Sequence, residues 1–283
     1  MDIINILAIS LVQGVTEFLP ISSSGHLVLL PKITNWDDQG IGFDVAAHLG
    51  TLLAVIVFLM RDIRRQNRQN FTVAREQFSK VLGRAPYLFG WSTGQNRLNG
   101  IGLLLVCLTI GTFPVALMGF LFHDEIANEL RRVEVVAYAT IAFGLLLGFA
   151  DRWRGRKALS DISLRDVVFI GLAQSLALVP GVSRAGVTMT AALFLGFSRR
   201  AAATCSMLLA IPVIFLSAAL ELKYFSELAN DELFLDLFAV FSFSGLFAYF
   251  SLHFLFGFVE KIGMMPFVIY RLAFGTVLIF LFV

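Results

Sequence analysis

Charge is scarce in this chain. Only 15% of its 283 residues are Asp, Glu, Lys or Arg, against about 25% in soluble domains. Hydrophobic residues make up 58%, and mean hydropathy is +0.81. That balance excludes a soluble globular enzyme and a disordered tail. Neither sign dominates: 22 basic and 20 acidic residues leave a net charge of +2, so no nucleic acid or other polyanionic partner is indicated. Cysteine is almost missing. Cys107 and Cys205 lie inside apolar runs, offer neither a disulfide framework nor a metal spacing, and read as small buried hydrophobes. The opening Met1-Asp2-Ile3-Ile4-Asn5 lacks the basic stretch and small-residue cleavage site of a secretory signal. No cleaved leader is expected, so apolar segments must direct insertion themselves, which points to an inner or plasma membrane.

What is abundant is uncharged apolar sequence, rich in phenylalanine. Leu98–Phe122, Ala201–Leu220 and Leu237–Val259 run 25, 20 and 23 residues without a formal charge. Each reaches the ~20 residues needed to cross a bilayer core. Val45–Met60 and Val135–Ala150 reach it with their polar flanks, and Met264–Val283 reaches it with Arg271 inside. Six spans follow. Two regions differ. Ile3–Thr16 and Phe18–Pro31 are interrupted by Glu17, Pro20, three serines and Gly25. Val167–Ser183 and Ala185–Ser198 are interrupted by Pro180, Gly181, Arg184 and Gly186. Each piece is short for a span and each pair is too long for one, so both read as re-entrant helical hairpins. Irregular backbone at membrane depth survives only inside protein or beside a wet cavity.

The loops set the orientation. Arg61–Arg97 carries eight basic residues against Asp62 and Glu76, and Asp151–Asp166 carries five basic residues. Glu221–Asp236 carries Lys223 against Glu221, Glu227, Asp231, Glu232 and Asp236. Basic loops stay in the cytoplasm, which places both termini outside. The first hairpin then enters from outside and the second from inside. The expected organisation is one polytopic domain: a half over residues 1–150 with the basic loop 61–97, a connecting loop 151–166, and a second half over 167–283. Each half holds one hairpin and three spans. Three is odd, so the halves are inverted relative to one another. A local echo agrees: Gln13, Pro20, Ser22 and Gly25 recur as Gln174, Pro180, Ser183 and Gly186. The fold class is therefore all-α integral membrane, with six transmembrane helices and two re-entrant hairpins in an inverted repeat. Such repeats place a binding site where the broken helices meet.

The breaks carry the polar chemistry. Gln13 and Glu17 are four apart and share a helix face. Ser22, Ser23 and Ser24 are favoured N-caps for the following half-helix, whose free N–H groups attract anions. His26 lies within a turn of them, so a Ser–His hydrogen bond is reasonable. The second break offers another such start, with hydroxyls at Ser183 and Thr188 and the guanidinium of Arg184, which suits phosphate. A charge at the bilayer centre costs from ~2.5 to more than ~10 kcal/mol. Glu17 and Arg184 form either a buried salt bridge locking the hairpins or the two sides of a site for an anion and a metal. The serines could merely cap, and His26 could be an ordinary buried histidine. Asp44 and His48 line the cavity mouth or pair locally. Arg271 reaches the cavity or ties helices together. His253 and His123 read as facing polar neighbours or the surface.

These breaks resemble the undecaprenyl-diphosphatase family, the bacitracin-resistance phosphatases of bacterial inner membranes. The matching pieces are Gln13 through His26, Pro180 through Thr188, and the late Pro266-Phe267-Val268-Ile269-Tyr270-Arg271. The likeness in length, order and hydropathy covers nearly the whole chain. The family's first motif, Glu or Gln, three residues, then Glu, falls on Gln13 and Glu17. Its serine-rich turn falls on Ser22, Ser23, Ser24, Gly25 and His26. Its Pro-Gly-x-Ser-Arg motif falls on Pro180, Gly181, Ser183 and Arg184, with the later threonine at Thr188. Many members carry Glu at the position of Gln13 and Ser at that of Ala185, so one carboxylate and one hydroxyl are missing here.

The resemblance implies hydrolysis of undecaprenyl diphosphate to the monophosphate and inorganic phosphate, with a divalent cation, Mg2+ or Ca2+, and a site opening to the periplasmic side. Glu17, helped by Gln13, is expected to bind the metal. Arg184, Arg271, Gly181, Gly25 and the hydroxyls of Ser22, Ser24, Ser183 and Thr188 are expected to hold phosphate. Ser23 or His26 attacks phosphorus, or His26 activates Ser23 or a water. The partners expected are the polyprenyl diphosphate lipid and the membrane, with a homodimer as an open assembly. The rival reading is a polyprenyl-phosphate flippase using the same anion site. A purely structural membrane subunit leaves Glu17 and Arg184 unexplained.

Overall fold

The structure, a computed structural model, describes residues 2–34, 36, 40–62, 100–122, 130, 132–153, 155–221 and 231–283. Most of the basic loop 61–97, His123 and the middle of the acidic loop 221–236 lie outside the described residues. The described residues form ten α-helices: α1 Ile3–Thr16, α2 Ser23–Thr34, α3 Ile41–Asp62, α4 Gly100–Leu121, α5 Val133–Asp151, α6 Leu164–Ser175, α7 Arg184–Phe194, α8 Arg199–Glu221, α9 Asp231–Phe258 and α10 Met265–Phe282. Six of them, α3, α4, α5, α8, α9 and α10, are long and apolar enough to cross a membrane. All six coincide with the spans expected from uncharged runs. The other four have 14, 12, 12 and 11 residues. At ~1.5 Å per residue none of these covers a ~30 Å hydrocarbon core.

Each pair of short helices is separated by backbone that cannot stay helical. α1 ends at Glu17, whose N–H still bonds the Gln13 carbonyl, and Pro20 and Ser22 then turn the chain. The second pair is broken by Leu176–Leu178, a single 3-10 turn, and by Pro180 to Ser183. Ser22 and Ser183 are the two described non-glycine residues with positive φ, 78° and 69°, a conformation that costs a side chain free energy. In each case the serine hydroxyl accepts the N–H three residues on, from Gly25 (3.4 Å) and from Gly186 (3.1 Å). The two serines therefore cap α2 and α7 as their spacing predicts.

Small residues let the short helices lie directly on long ones. On α1, a Cβ at Gly14 would stand 2.7 Å from the Ser244 carbonyl of α9. On α6, a Cβ at Gly171 would stand 2.6 Å from the Gly111 carbonyl of α4. Contact through small residues is the usual way helices associate in lipid, where burial of apolar surface gives little drive. α1 runs parallel to α9, since Ser10 bonds the Val240 carbonyl and Val15 receives the Ser251 hydroxyl. α6 starts where α4 starts, at the end of the bundle where α9 finishes. α5 and α10 pack on each other, and α7 packs on α5, α6 and α8.

One end of the bundle is tied by ion pairs. Asp151 at the end of α5 holds Arg199 at the start of α8 through two bonds, 2.6 and 2.8 Å, and also receives the Met264 N–H. Arg200 reaches Asp62 at the end of α3 (3.0 Å). Lys157 holds Asp166 at 2.6 Å, and Asp166 reciprocally caps α6 with Ser163.

Candidate functional site

Glu17 follows α1 directly, and its carboxylate is buried at 8% exposure. Three donors converge on it. Gln13, one turn back, donates from Nε2 to Oε2 (3.1 Å). Ser23, the first residue of α2, donates its hydroxyl to the same oxygen (2.8 Å). Arg184, the first residue of α7, donates from Nη2 to Oε1 (2.9 Å). Two helix N-termini from the two ends of the chain thus meet over one carboxylate. Their N–H groups and dipoles make this a positive region. The other Arg184 terminal nitrogen donates to the Ser206 carbonyl (3.2 Å), and the guanidinium lies over the Phe18 ring at 5.9 Å. Thr188 hydrogen-bonds Arg184 O (2.8 Å) and the Ser206 hydroxyl (2.7 Å), so α8 supplies support that the sequence does not single out.

Arg271 on α10 is fully buried and meets no carboxylate. Nε donates to Thr140 O (3.1 Å), Nη1 to Pro20 O (3.2 Å) and Val182 O (3.0 Å), and Nη2 to Gly181 O (2.8 Å). Thr140 adds its own hydroxyl to Gly181 O (3.3 Å). The side chain expected to reach phosphate instead joins the two breaks through their carbonyls. With Glu17 negative and Arg184 and Arg271 positive, the region around the breaks keeps one net positive charge, which suits an anion.

The histidine is placed differently from the expected Ser–His contact. His26 Nδ1 donates to the Ser22 carbonyl (2.6 Å) and Nε2 faces the Tyr270 hydroxyl (2.6 Å). Its ring stacks on Phe274 with centroids 4.2 Å apart. Ser23 bonds Glu17 rather than the histidine. Ser24 is exposed and lies 3.4 Å from the Ser22 hydroxyl. Gly25 is buried in the first turn of α2, and Gly181 is buried in the second break with φ 97°. On α3, His48 Nδ1 donates to the Asp44 carbonyl one turn back, and the ring lies within electrostatic range of Glu17. His253 is exposed, bonds Tyr249 O and stands on edge to Phe58. Tyr270, Thr140 and Ser206 are the contributors that sequence reading passes over; each meets the site from far along the chain, where spacing gives no signal.

No group of three or more His, Cys, Asp or Glu able to hold a metal occurs among the described residues. The available donors are oxygens: the Glu17 carboxylate, the Ser23 hydroxyl and the Gln13 amide oxygen. That amide oxygen is buried without a hydrogen-bond partner. The Gln13 amide presents its nitrogen to Glu17 here; turned over about its amide, the orphaned oxygen and the carboxylate would suit a hard cation such as Mg2+ or Ca2+, which takes oxygen ligands and keeps waters.

The family model described as bacitracin resistance protein BacA matches residues 6–277. The chain belongs to the BacA family. Among curated BacA-like relatives, the undecaprenyl-diphosphatase of Nitrosococcus oceani is 45% identical over 287 residues, covering all of both chains. That of Thioalkalivibrio sulfidiphilus is 41% identical over 288 residues, again covering both chains fully. That of Teredinibacter turnerae is 45% identical over 282 residues, covering 98% of each. The family resemblance drawn from the two breaks and the late Tyr270-Arg271 pair thus extends along the whole chain.

Proposed function

We infer that this protein hydrolyses undecaprenyl diphosphate to undecaprenyl phosphate and inorganic phosphate. It thereby recycles the lipid carrier of cell-wall synthesis and removes the target of bacitracin. The observation that carries the reading is the meeting of Glu17, Ser23 and Arg184 at two facing helix starts. Full-length relationship to BacA proteins supports it. A hydrolase, rather than a carrier, has use for a serine hydroxyl held 2.8 Å from a buried carboxylate.

In this reading the prenyl tail lies among lipid-facing side chains and the diphosphate head enters between the breaks. The start of α7 and the Arg184 guanidinium neutralise the transferring phosphoryl group, since positioning and electrostatics dominate phosphoryl transfer. Ser23 supplies the attacking oxygen and passes its proton to Glu17, which holds its hydroxyl; the Oγ–P bond forms as the bridging P–O bond breaks and undecaprenyl phosphate leaves. Ser22, Ser183, Gly25 and Gly181 shape the two turns that present N–H groups. Glu17 and Gln13 would hold a divalent cation, which when bound supplies charge neutralisation to the diphosphate. The paired short helices are read as re-entrant hairpins entering from opposite faces, and the halves as inverted repeats. Supporting this, α1 on α9 answers α6 on α4, and Ser22 answers Ser183 in φ and in cap. The ion-paired end, carrying Lys157, Arg199 and Arg200, is assigned to the cytoplasm of a bacterial inner membrane, and the site is assigned an opening to the outer side.

Phosphate release from polyprenyl diphosphate by detergent-purified protein tests the reading, because micelles have no compartments to transport between. Glu17→Ala and Arg184→Ala are each expected to lower turnover at least ~100-fold, and a chelator to suppress the parent activity. Turnover near that of the parent in either variant would remove that residue from the chemistry.

A further inference from the structure

The hydrogen bonds of His26 fix which of its nitrogens can work. A carbonyl only accepts, so the 2.6 Å contact with Ser22 O places the proton on Nδ1. Neutral His26 therefore turns a lone pair outward at Nε2, and that lone pair receives the Tyr270 hydroxyl at 2.6 Å. The ring is held in this pose from one side by Phe274, 4.2 Å away and 3° from parallel. Tyr270 and Phe274 are on successive turns of α10, and their rings stack 5.9 Å apart and 13° from parallel. Arg271, next to Tyr270, is anchored to both breaks, so the strand of contacts positioning Tyr270 is the one that positions the site. Tyr270 is 42% exposed, and its hydroxyl engages the Nε2 lone pair.

We propose that Tyr270 is a proton relay for the reaction, and that His26 works as a base through it rather than as a nucleophile. This rests on the hydrolase reading above. Nε2 has no open approach to phosphorus while the phenol occupies it. A proton, by contrast, can pass through. As water attacks the phosphoryl group carried on Ser23, its O–H proton moves to Tyr270 Oη while the Tyr270 proton moves to His26 Nε2. The new P–O bond forms, the P–Oγ bond to Ser23 breaks, and Ser23 Oγ takes back from Glu17 the proton it passed to that carboxylate when it attacked. Tyrosine ends neutral and the imidazolium is stabilised by its Nδ1–H bond to Ser22 O. Returning that proton to the departing products restores the resting pair.

Tyr270→Phe keeps the stack on α10 and removes only the hydroxyl. The expected result is a fall in kcat of at least ~10-fold, below the full general-base contribution of ~100-fold or more, with KM within about twofold and an unchanged thermal melt. Rapid quenching with polyprenyl diphosphate labelled in its terminal phosphate should find label on Ser23, stable to acid, and more of it in Tyr270→Phe than in the parent. Acid-labile label on His26, or Tyr270→Phe with parent kcat alongside an inactive His26→Gln, would overturn the relay and leave the hydrolase reading standing. Full activity in His26→Gln would dismiss histidine and relay together. Loss of activity in Ser23→Ala with no labelled enzyme in any variant would overturn the step assigned to Tyr270.

Discussion

The ion pair between Glu17 and Arg184 is the residue-level core of the molecule, and its energetics are asymmetric. Two opposite charges at 2.9 Å and largely out of water contribute little net stability over an apolar pair, yet removing one partner strands the other at a cost of ~3–5 kcal/mol. Variants at either position are thus expected to melt earlier as well as lose activity. Arg271 gives a sharper case. Arg271→Met takes the guanidinium donor from four buried carbonyls, of which Gly181 O keeps the Thr140 hydroxyl, and each carbonyl left unsatisfied costs ~1–3 kcal/mol. The variant should show a strongly lowered melting temperature in detergent, and Arg271→Lys only partial recovery, because an ammonium cannot span Thr140, Pro20, Gly181 and Val182 together. An unchanged melt in Arg271→Met would contradict the bracing role. Asp166 offers a pH signature. Burial pushes its carboxyl up, but the Lys157 and Ser163 hydrogen bonds outweigh that and hold it below its usual 3.8. A depressed folded value means stability present above the ordinary pKa and lost as pH falls through the folded one. Thermal melts of the parent and Asp166→Asn should therefore differ at neutral pH and converge below about pH 4.

The elements were readable where their cause is local. Uncharged runs marked six spans because a charge in lipid is expensive, and Pro20, Pro180 and Gly181 marked the breaks because they end a helix within a residue or two. Gln13 and Glu17 were readable as a pair because helix spacing puts them on one face, whereas the Ser23 bond to Glu17 was not, since sequence alone suits that serine to capping or to His26. What could not be read came from pairings between different helices: Arg271 against Pro20 and His26 against Tyr270, more than two hundred positions apart, and Arg184 against Ser206, 22 apart. Nor did the sequence disclose that the capping serines sit at positive φ. That geometry gives a test at Ser183. Ser183→Ala loses the bond to Gly186 N–H and keeps a Cβ in a left-handed conformation; Ser183→Gly loses the bond but relieves the Cβ, as glycine tolerates both the turn and the cap position. The glycine variant should melt higher than the alanine variant, by differential scanning fluorimetry in one detergent. The reverse order would mean that the serine conformation is not strained.

For the whole molecule, orientation is the property that follows from summed charge rather than from any contact. The ends of α3, α5 and α9 and the starts of α8 and α10 gather at one face with Arg199, Arg200, Asp62, Asp151 and Glu260. Single cysteines at Trp153 and Lys261, in a background with Cys107 and Cys205 replaced, should react with a membrane-impermeant maleimide in inside-out vesicles and not in intact spheroplasts. Labelling in spheroplasts would invert the assignment.

The guanidinium that grips Pro20 on one side and Gly181 and Val182 on the other has a mechanical meaning. A single rivet fastens both turns, so neither can shift without dragging its opposite. In the proposed reaction the lipid head group would therefore meet the two turns as one joined piece.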